Sequence, residues 1–210
     1  WAVHSWTQPA RARVARVSFA SSYCSLPQPS RTPPEDARFR AGLSSLMTWY
    51  AHPYTHVLLM TGPLPAGGAG VSYTNTRRFE ERGWTETERR TCAVSKCAHC
   101  MWDYAGWAPE RLEGLERMQK FDELRAMLRT GRPTPMAPPT FAHDLRARVN
   151  SGELSFTAES DLETVIDMYK RGFVQVFESY RDYDPDGFFA AYAAQGWSEE
   201  EAKQVASALG

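Results

Sequence analysis

The sequence predicts an α/β protein: a truncated parallel, three-layer sheet over residues 1–130, a Pro-rich linker over 131–139, and a helical C-terminal extension over 140–210 that packs on the body. Three observations carry this prediction. Short apolar runs alternate with amphipathic stretches through the first 130 residues, the pattern that parallel βα units require. Gly131-Arg132-Pro133-Thr134-Pro135, followed by Pro138-Pro139, interrupts that alternation. Beyond the interruption the apolar spacing is helical throughout.

Taken in order, Val14-Ala15-Arg16-Val17-Ser18-Phe19 alternates loosely and reads as a strand that leaves into the turn-prone Pro27-Gln28-Pro29. A helix is expected after Pro33-Pro34, with Glu35 and Asp36 in a first turn where the helix dipole favours acids. Its residues Phe39, Leu43, Leu46, Met47 and Tyr50 fall on one face. Thr55-His56-Val57-Leu58-Leu59-Met60-Thr61 is a continuous apolar run ending at Gly62-Pro63, as in a strand buried on both faces. Gly67-Gly68-Ala69-Gly70 reads as a loop. A second helix is expected over about 84–96, a short strand at Met101-Trp102-Asp103-Tyr104, and a third helix over about 109–129. After the linker, Leu162, Val165, Ile166, Tyr169, Phe173, Val176, Phe177 and Tyr180 continue one stripe for five turns. Ser160 with Glu163, and Ser198 with Glu201, have the spacing of capping boxes.

Composition narrows the function classes. At 210 residues the chain is long enough to bury a core in one domain, with or without an appendage. Seven Trp and a 42% hydrophobic fraction argue against wholesale disorder. Four Cys, three of them between positions 92 and 100, do not make a disulfide scaffold. The longest apolar run, Val57-Leu58-Leu59-Met60, is far short of the ~20 residues of a membrane span. Trp1 opens the sequence without a charged segment leading into an apolar one, so a signal peptide is not expected and the location expected is intracellular, cytoplasmic or organellar. The net charge of −1 hides an asymmetry: residues 151–210 hold 12 acids against four bases, and residues 1–150 hold 20 bases against 13 acids. The bases are scattered rather than clustered. The expected consequence is an acidic tail packed beside a basic body, with neither nucleic acid nor membrane as partner.

Four pieces of the sequence, in order, resemble an uncharacterised family of proteins from dinoflagellates, haptophytes and other algal protists. They are Ser25-Leu26-Pro27-Gln28, Tyr73 followed by Arg82-Gly83-Trp84 and Glu88, Phe156-Thr157 with Asp161, and Gly196-Trp197. That family opens with a strand, a Ser-His-x-Trp-like motif and a first helix. Val3-His4-Ser5-Trp6 is similar to the motif, but Ser18-Phe19 follows too soon for the helix, and Ser22 stands where the family often has an acid. The Arg82–Glu88 segment also resembles the helix start of Toll/interleukin-1-receptor-like (TIR) domains, in which a Trp is followed four residues later by Glu. These resemblances imply a flavodoxin- or TIR-like sheet. In NAD-cleaving TIR domains that Glu contacts the ribose of the nicotinamide nucleotide. The resemblance therefore implies Glu88 as the catalytic candidate, with Trp84, Arg82 and Tyr73 as ligand-binding candidates.

Trp84 and Glu88 are spaced i, i+4 and share a helix face. A carboxylate there, at the carboxyl edge of a parallel sheet, is placed to stabilise an oxocarbenium ion as a glycosidic bond to ribose breaks. The plainer reading makes Trp84 a packing residue and pairs Glu88 with Arg82, Arg89 or Arg90. Cys92, Cys97, His99 and Cys100 lack the two spaced ligand pairs of a structural zinc site and read as buried small residues. His52 and His56 are separated by Pro53, so no shared metal is expected. Gly67–Gly70 lacks the Lys-Ser/Thr of a phosphate loop.

Three function classes follow. The first is a non-catalytic α/β interaction module of an intracellular assembly, binding another protein or a copy of itself. The second is a TIR-like NAD glycohydrolase using Glu88, with NAD as substrate and no cofactor. A glycosyl- or ribosyltransferase is the third. The shortened sheet favours the module, because it loses part of a ligand crevice and leaves an edge that can recruit a partner.

Overall fold

Thr32, with its backbone N–H on the Glu35 carboxylate at 2.8 Å, opens the first long helix, α1 (Pro33–Ala51). Pro33 and Pro34 occupy the first turn, where a missing N–H costs nothing. The computed structural model describes strand backbone at Ala2–His4 and Val17–Phe19, then residues 26–27, 30–52, 55–63, 76–96, 98–180 and 185–209. Tyr73, Gly67–Gly70, Ser22, Cys24 and Cys97 lie outside these residues.

Four short strands form one sheet in the order β2 (Val17–Phe19), β1 (Ala2–His4), β3 (Thr55–Leu59), β4 (Met101–Asp103). Only the β3–β4 pair is parallel, with Val57 opposite Met101 and Leu59 opposite Asp103. β1 is antiparallel to both β2 and β3, so the sheet is mixed rather than parallel. The reason is connectivity. Helix α2 (Gly83–Ser95) lies between β3 and β4 in the chain and supplies the crossover that a parallel pair needs. Along β3 the burial alternates: Thr55, Val57 and Leu59 are buried, His56 and Leu58 only partly. The apolar run is therefore buried on one face, while on the other the Trp102 indole donates to His56 Nδ1 at 3.0 Å.

The third expected helix begins late. Residues Pro109–Leu112 form a 3₁₀ turn, Gly114 takes a positive φ of 71° that stops it, and α3 runs only over Arg117–Leu128. The Pro-rich stretch ends early for the opposite reason. Pro138 and Pro139 are not linker but the first turn of α4 (Pro138–Asn150). Then come α5 (Asp161–Tyr180), α6 (Pro185–Ala193) and α7 (Glu199–Leu209).

α5 packs against α1, α2, α4 and α7. Its Val165, Tyr169, Phe173, Val174, Val176 and Phe177 join Phe141, Leu145, Leu154, Tyr192 and Trp197 in the larger core cluster. The rings interlock: Phe141 stacks on Tyr169 at 3.8 Å between centroids, and Phe173 meets Tyr192 edge-on at 4.5 Å. One α5 residue, Met168, reaches the second cluster with Val57 and Leu59 of β3, Cys92 of α2 and Met101 of β4. The sheet side and the helical side thus meet through α5. Two ion pairs hold this part together: Arg146 with Glu163 joins α4 to α5, and Arg148 with Glu153 joins α4 to the loop that follows it.

Candidate functional site

Helix α2 carries the candidate residues, and its placement follows from its own side chains. At its end, Lys96 Nζ donates to the His52 carbonyl just before β3. In its middle, Cys92 lies in one cluster with Val57 and Leu59. α2 therefore runs antiparallel to β3, and Glu88, two turns before Lys96, comes toward the carboxyl end of the parallel β3–β4 pair. That is the side on which open α/β sheets bind ligands.

Glu88 is buried, with 7% of its surface exposed. Trp84, one turn earlier and partly buried, packs against both core clusters, and its indole N–H donates to Asp161 Oδ2 at 3.0 Å. Asp161 is the first residue of α5, so this bond pins α2 to the start of the central helix. The Arg82 guanidinium turns back onto its own loop, donating from Nε and Nη2 to the Arg77 carbonyl at 2.9 and 2.5 Å. Between them, Gly83 gives its N–H to the Ser155 carbonyl at 2.9 Å, and Ser155 returns its own to Glu81 at 3.0 Å. The Phe156 ring lies over Gly83 so closely that a Cβ would come within 2.2–2.5 Å of it. Two sequence pieces some 70 residues apart, Arg82-Gly83-Trp84 and Phe156 with Asp161, are thus one joint. Tyr73 lies outside the described residues.

The arginines of α2 pair with Glu86. Its carboxylate is 1% exposed and accepts from Arg89 Nε at 2.9 Å, Arg90 Nε at 2.8 Å and Arg148 Nη1 at 2.9 Å. Burial disfavours its charge, but the hydrogen bonds from Arg89, Arg90 and Arg148 outweigh it and hold the carboxyl below its ordinary value. This cluster joins α2 to α4.

On the Glu88 face, Cys92 and Lys96 follow at i+4 and i+8, both 0% exposed. Burial pushes the Cys92 thiol up to about 12; nearby Lys96 opposes this and Glu88 adds to it. Cys100, just before β4, is also buried. His99 is exposed. No three His, Cys, Asp or Glu among the described residues gather as a metal would need.

At the carboxyl end of β4, both Asp103 oxygens accept from the Thr61 hydroxyl, at 2.6 and 2.7 Å, and one also takes the Ala105 N–H. Tyr104 and Trp107 stack beyond it, 5.4 Å between centroids. Trp107 is 41% exposed, Met60 66%, and on α3 Met118 is 69% and Phe121 53%. The whole of residues 116–122 is exposed.

Family models, curated proteins and solved structures were compared with the chain, and none matches. No helix among the described residues is long and apolar enough to cross a membrane.

Sequence reasoning missed Glu86 and Lys96, and quoted Asp161 for the resemblance alone, without its bond to Trp84. Glu86 had a signal, since Arg89 and Arg90 stand three and four residues after it. Asp161 and Lys96 have none, because their partners lie 77 and 44 residues away.

Proposed function

We propose that the chain is a non-catalytic α/β interaction module of an intracellular assembly, binding a protein surface through Met60, Trp107 and the first turns of α3. The observation that carries this reading is exposure: Met60, Trp107, Met118 and Phe121 are four of the five exposed large apolar side chains among the described residues. The exposed charges beside Met118 and Phe121 are of both signs, Arg117, Lys120 and Arg125 with Glu116 and Asp122, as on the polar rim of a protein interface. The groups expected to hold a nucleotide are engaged inside the protein, Trp84 with Asp161 and Arg82 with Arg77. The parallel β3–α2–β4 unit supports placing the fold with truncated three-layer, flavodoxin- and TIR-like sheets. The joint between Arg82–Trp84, Phe156 and Asp161 supports the resemblance to the algal protist family, because those quoted pieces fit one another.

A second reading, an NAD glycohydrolase using Glu88, draws on the direction of α2, which brings that carboxylate toward the carboxyl end of β3 and β4. One pair of measurements separates the two. Wild-type protein is incubated with NAD for hours and nicotinamide release is followed. The module reading expects none, and release that disappears in Glu88→Gln overturns it in favour of the hydrolase. In parallel, sedimentation velocity over a concentration series tests self-association. If a second copy is the partner, the wild type forms a dimer that Phe121→Asp abolishes.

A further inference from the structure

The end of α2 closes over the end of α1. Ser95 Oγ donates to the carbonyl of Ala51, the last residue of α1, and Lys96 Nζ donates to the carbonyl of His52, which follows it. The same His52 oxygen accepts the N–H of Thr55, the first residue of β3, at 3.1 Å. One lysine side chain, 0% exposed, therefore ties the end of α1, the start of β3 and the end of α2. A helix C-terminus is a favourable place for a cation, since its last carbonyls are otherwise unsatisfied. A sealed core is an unfavourable one.

The groups around the amine decide which effect wins. On α2 they are Cys92, one turn earlier, and Glu88, which faces Cys92. Ahead of β4 there is Cys100, and on α1 the His52 backbone with an exposed imidazole. β3 presents Thr55 and Val57, which do not titrate.

We propose that Lys96 is a proton-operated clasp on this junction: with its proton the amine is a buried charge that loosens the junction of α1, β3 and α2, and without it a neutral N–H donor holds the three together. The neutral amine still donates to His52, so the hydrogen bond survives while the cost of the buried charge goes. Burial lowers the amine's pKa to about 8, against a smaller opposing pull from Cys92 and Cys100. Between that value and the ordinary 10.5 the unfolded chain binds more protons than the folded one, so stability rises with pH across that window. The Cys92 thiol works in the other direction above its ordinary 9.0, which makes the span just below pH 9 the clear one.

The direct test is the titration of the lysine side-chain carbons of the folded wild-type protein by NMR. One Cε resonance is expected to move with a midpoint roughly two pH units below that of the other lysines. That resonance is expected to be missing from Lys96→Met. A Lys96 resonance titrating with the rest overturns the proposal. The second measurement is thermal melting of both proteins at steps between about pH 7 and 9. The wild-type midpoint is expected to climb relative to Lys96→Met, and parallel curves overturn the proposal as well. If Lys96→Met does not fold, the wild-type titration decides alone, with the resonance assigned through its backbone.

Discussion

At the scale of single residues, α2 joins two kinds of buried charge that behave oppositely. Glu86 has three guanidiniums for one carboxylate, with side chains 16–27% exposed around an acid at 1%. Removing the acid leaves three cations facing a neutral amide. Glu86→Gln is therefore expected to lower stability by about 3 kcal/mol at pH 7, read by urea denaturation, because breaking a buried pair strands its partners. The sign with pH follows from a lowered carboxyl. Its contribution is present above the ordinary value of 4.5 and is lost as pH falls through the lower, folded value. The difference between wild type and Glu86→Gln should accordingly shrink as pH falls below the ordinary value of 4.5 and the wild-type carboxylate takes up its proton. A difference that stays constant into acid would mean the carboxylate charge is not what holds the cluster.

At the scale of elements, the joint between α2 and the start of α5 depends on shape as much as on charge. Gly83 lies against Phe156, and no side chain fits there without moving that ring. Gly83→Ala is expected to cost about 1–2 kcal/mol as the ring is displaced, and a smaller residue at position 156 should recover part of it. Unchanged denaturation of Gly83→Ala would show that Phe156 swings away freely. The same elements show what local sequence can and cannot report. α1, β3, α2 and β4 appear within a residue or two of where the Pro-Pro start, the apolar run and the helical spacing put them. The start of α3 does not, because a glycine at positive φ is invisible to apolar periodicity. Ser198 and Glu201 do form the expected box, with Ser198 N–H on the carboxylate at 3.0 Å and Glu201 N–H on Ser198 Oγ at 3.1 Å. Glu163 does not serve Ser160, because Arg146 reaches it with two hydrogen bonds, at 3.0 and 2.7 Å. A local rule lost there to a bidentate partner 17 residues distant. In the candidate site the spacing of Trp84 and Glu88 was legible, but the acceptor that holds Trp84 was not, since Asp161 becomes its neighbour only once α5 has docked.

At the scale of the whole molecule, the core is centred on α5. Val165, Tyr169 and Phe173 are each at most 1% exposed, and Met168 carries the packing across to the sheet. A chain ending after Pro135 would keep β3, α2 and β4 but lose the partners of their buried faces. Such a truncation is expected to lose cooperative thermal unfolding and to aggregate rather than melt at a lower temperature. A truncated chain with a sharp melt would show that the first 135 residues fold alone. One ion pair that crosses position 135, Arg148–Glu86, has its base beyond that point and its acid before it, so the truncation also strips a guanidinium from Glu86.

The burial of Cys92 and Cys100 has a further use. Both thiols are at most 5% exposed, and they sit on either side of the α2–β4 connection in the middle of the core. A maleimide in solution reaches them only while that core is open, so the rate at which peptide mapping finds them alkylated follows the opening equilibrium under fully native conditions. Measured over denaturant, alkylation at the two positions distinguishes a core that opens as a unit from one in which the β4 side frays first. The protein carries its own clock for that motion in two atoms of sulfur.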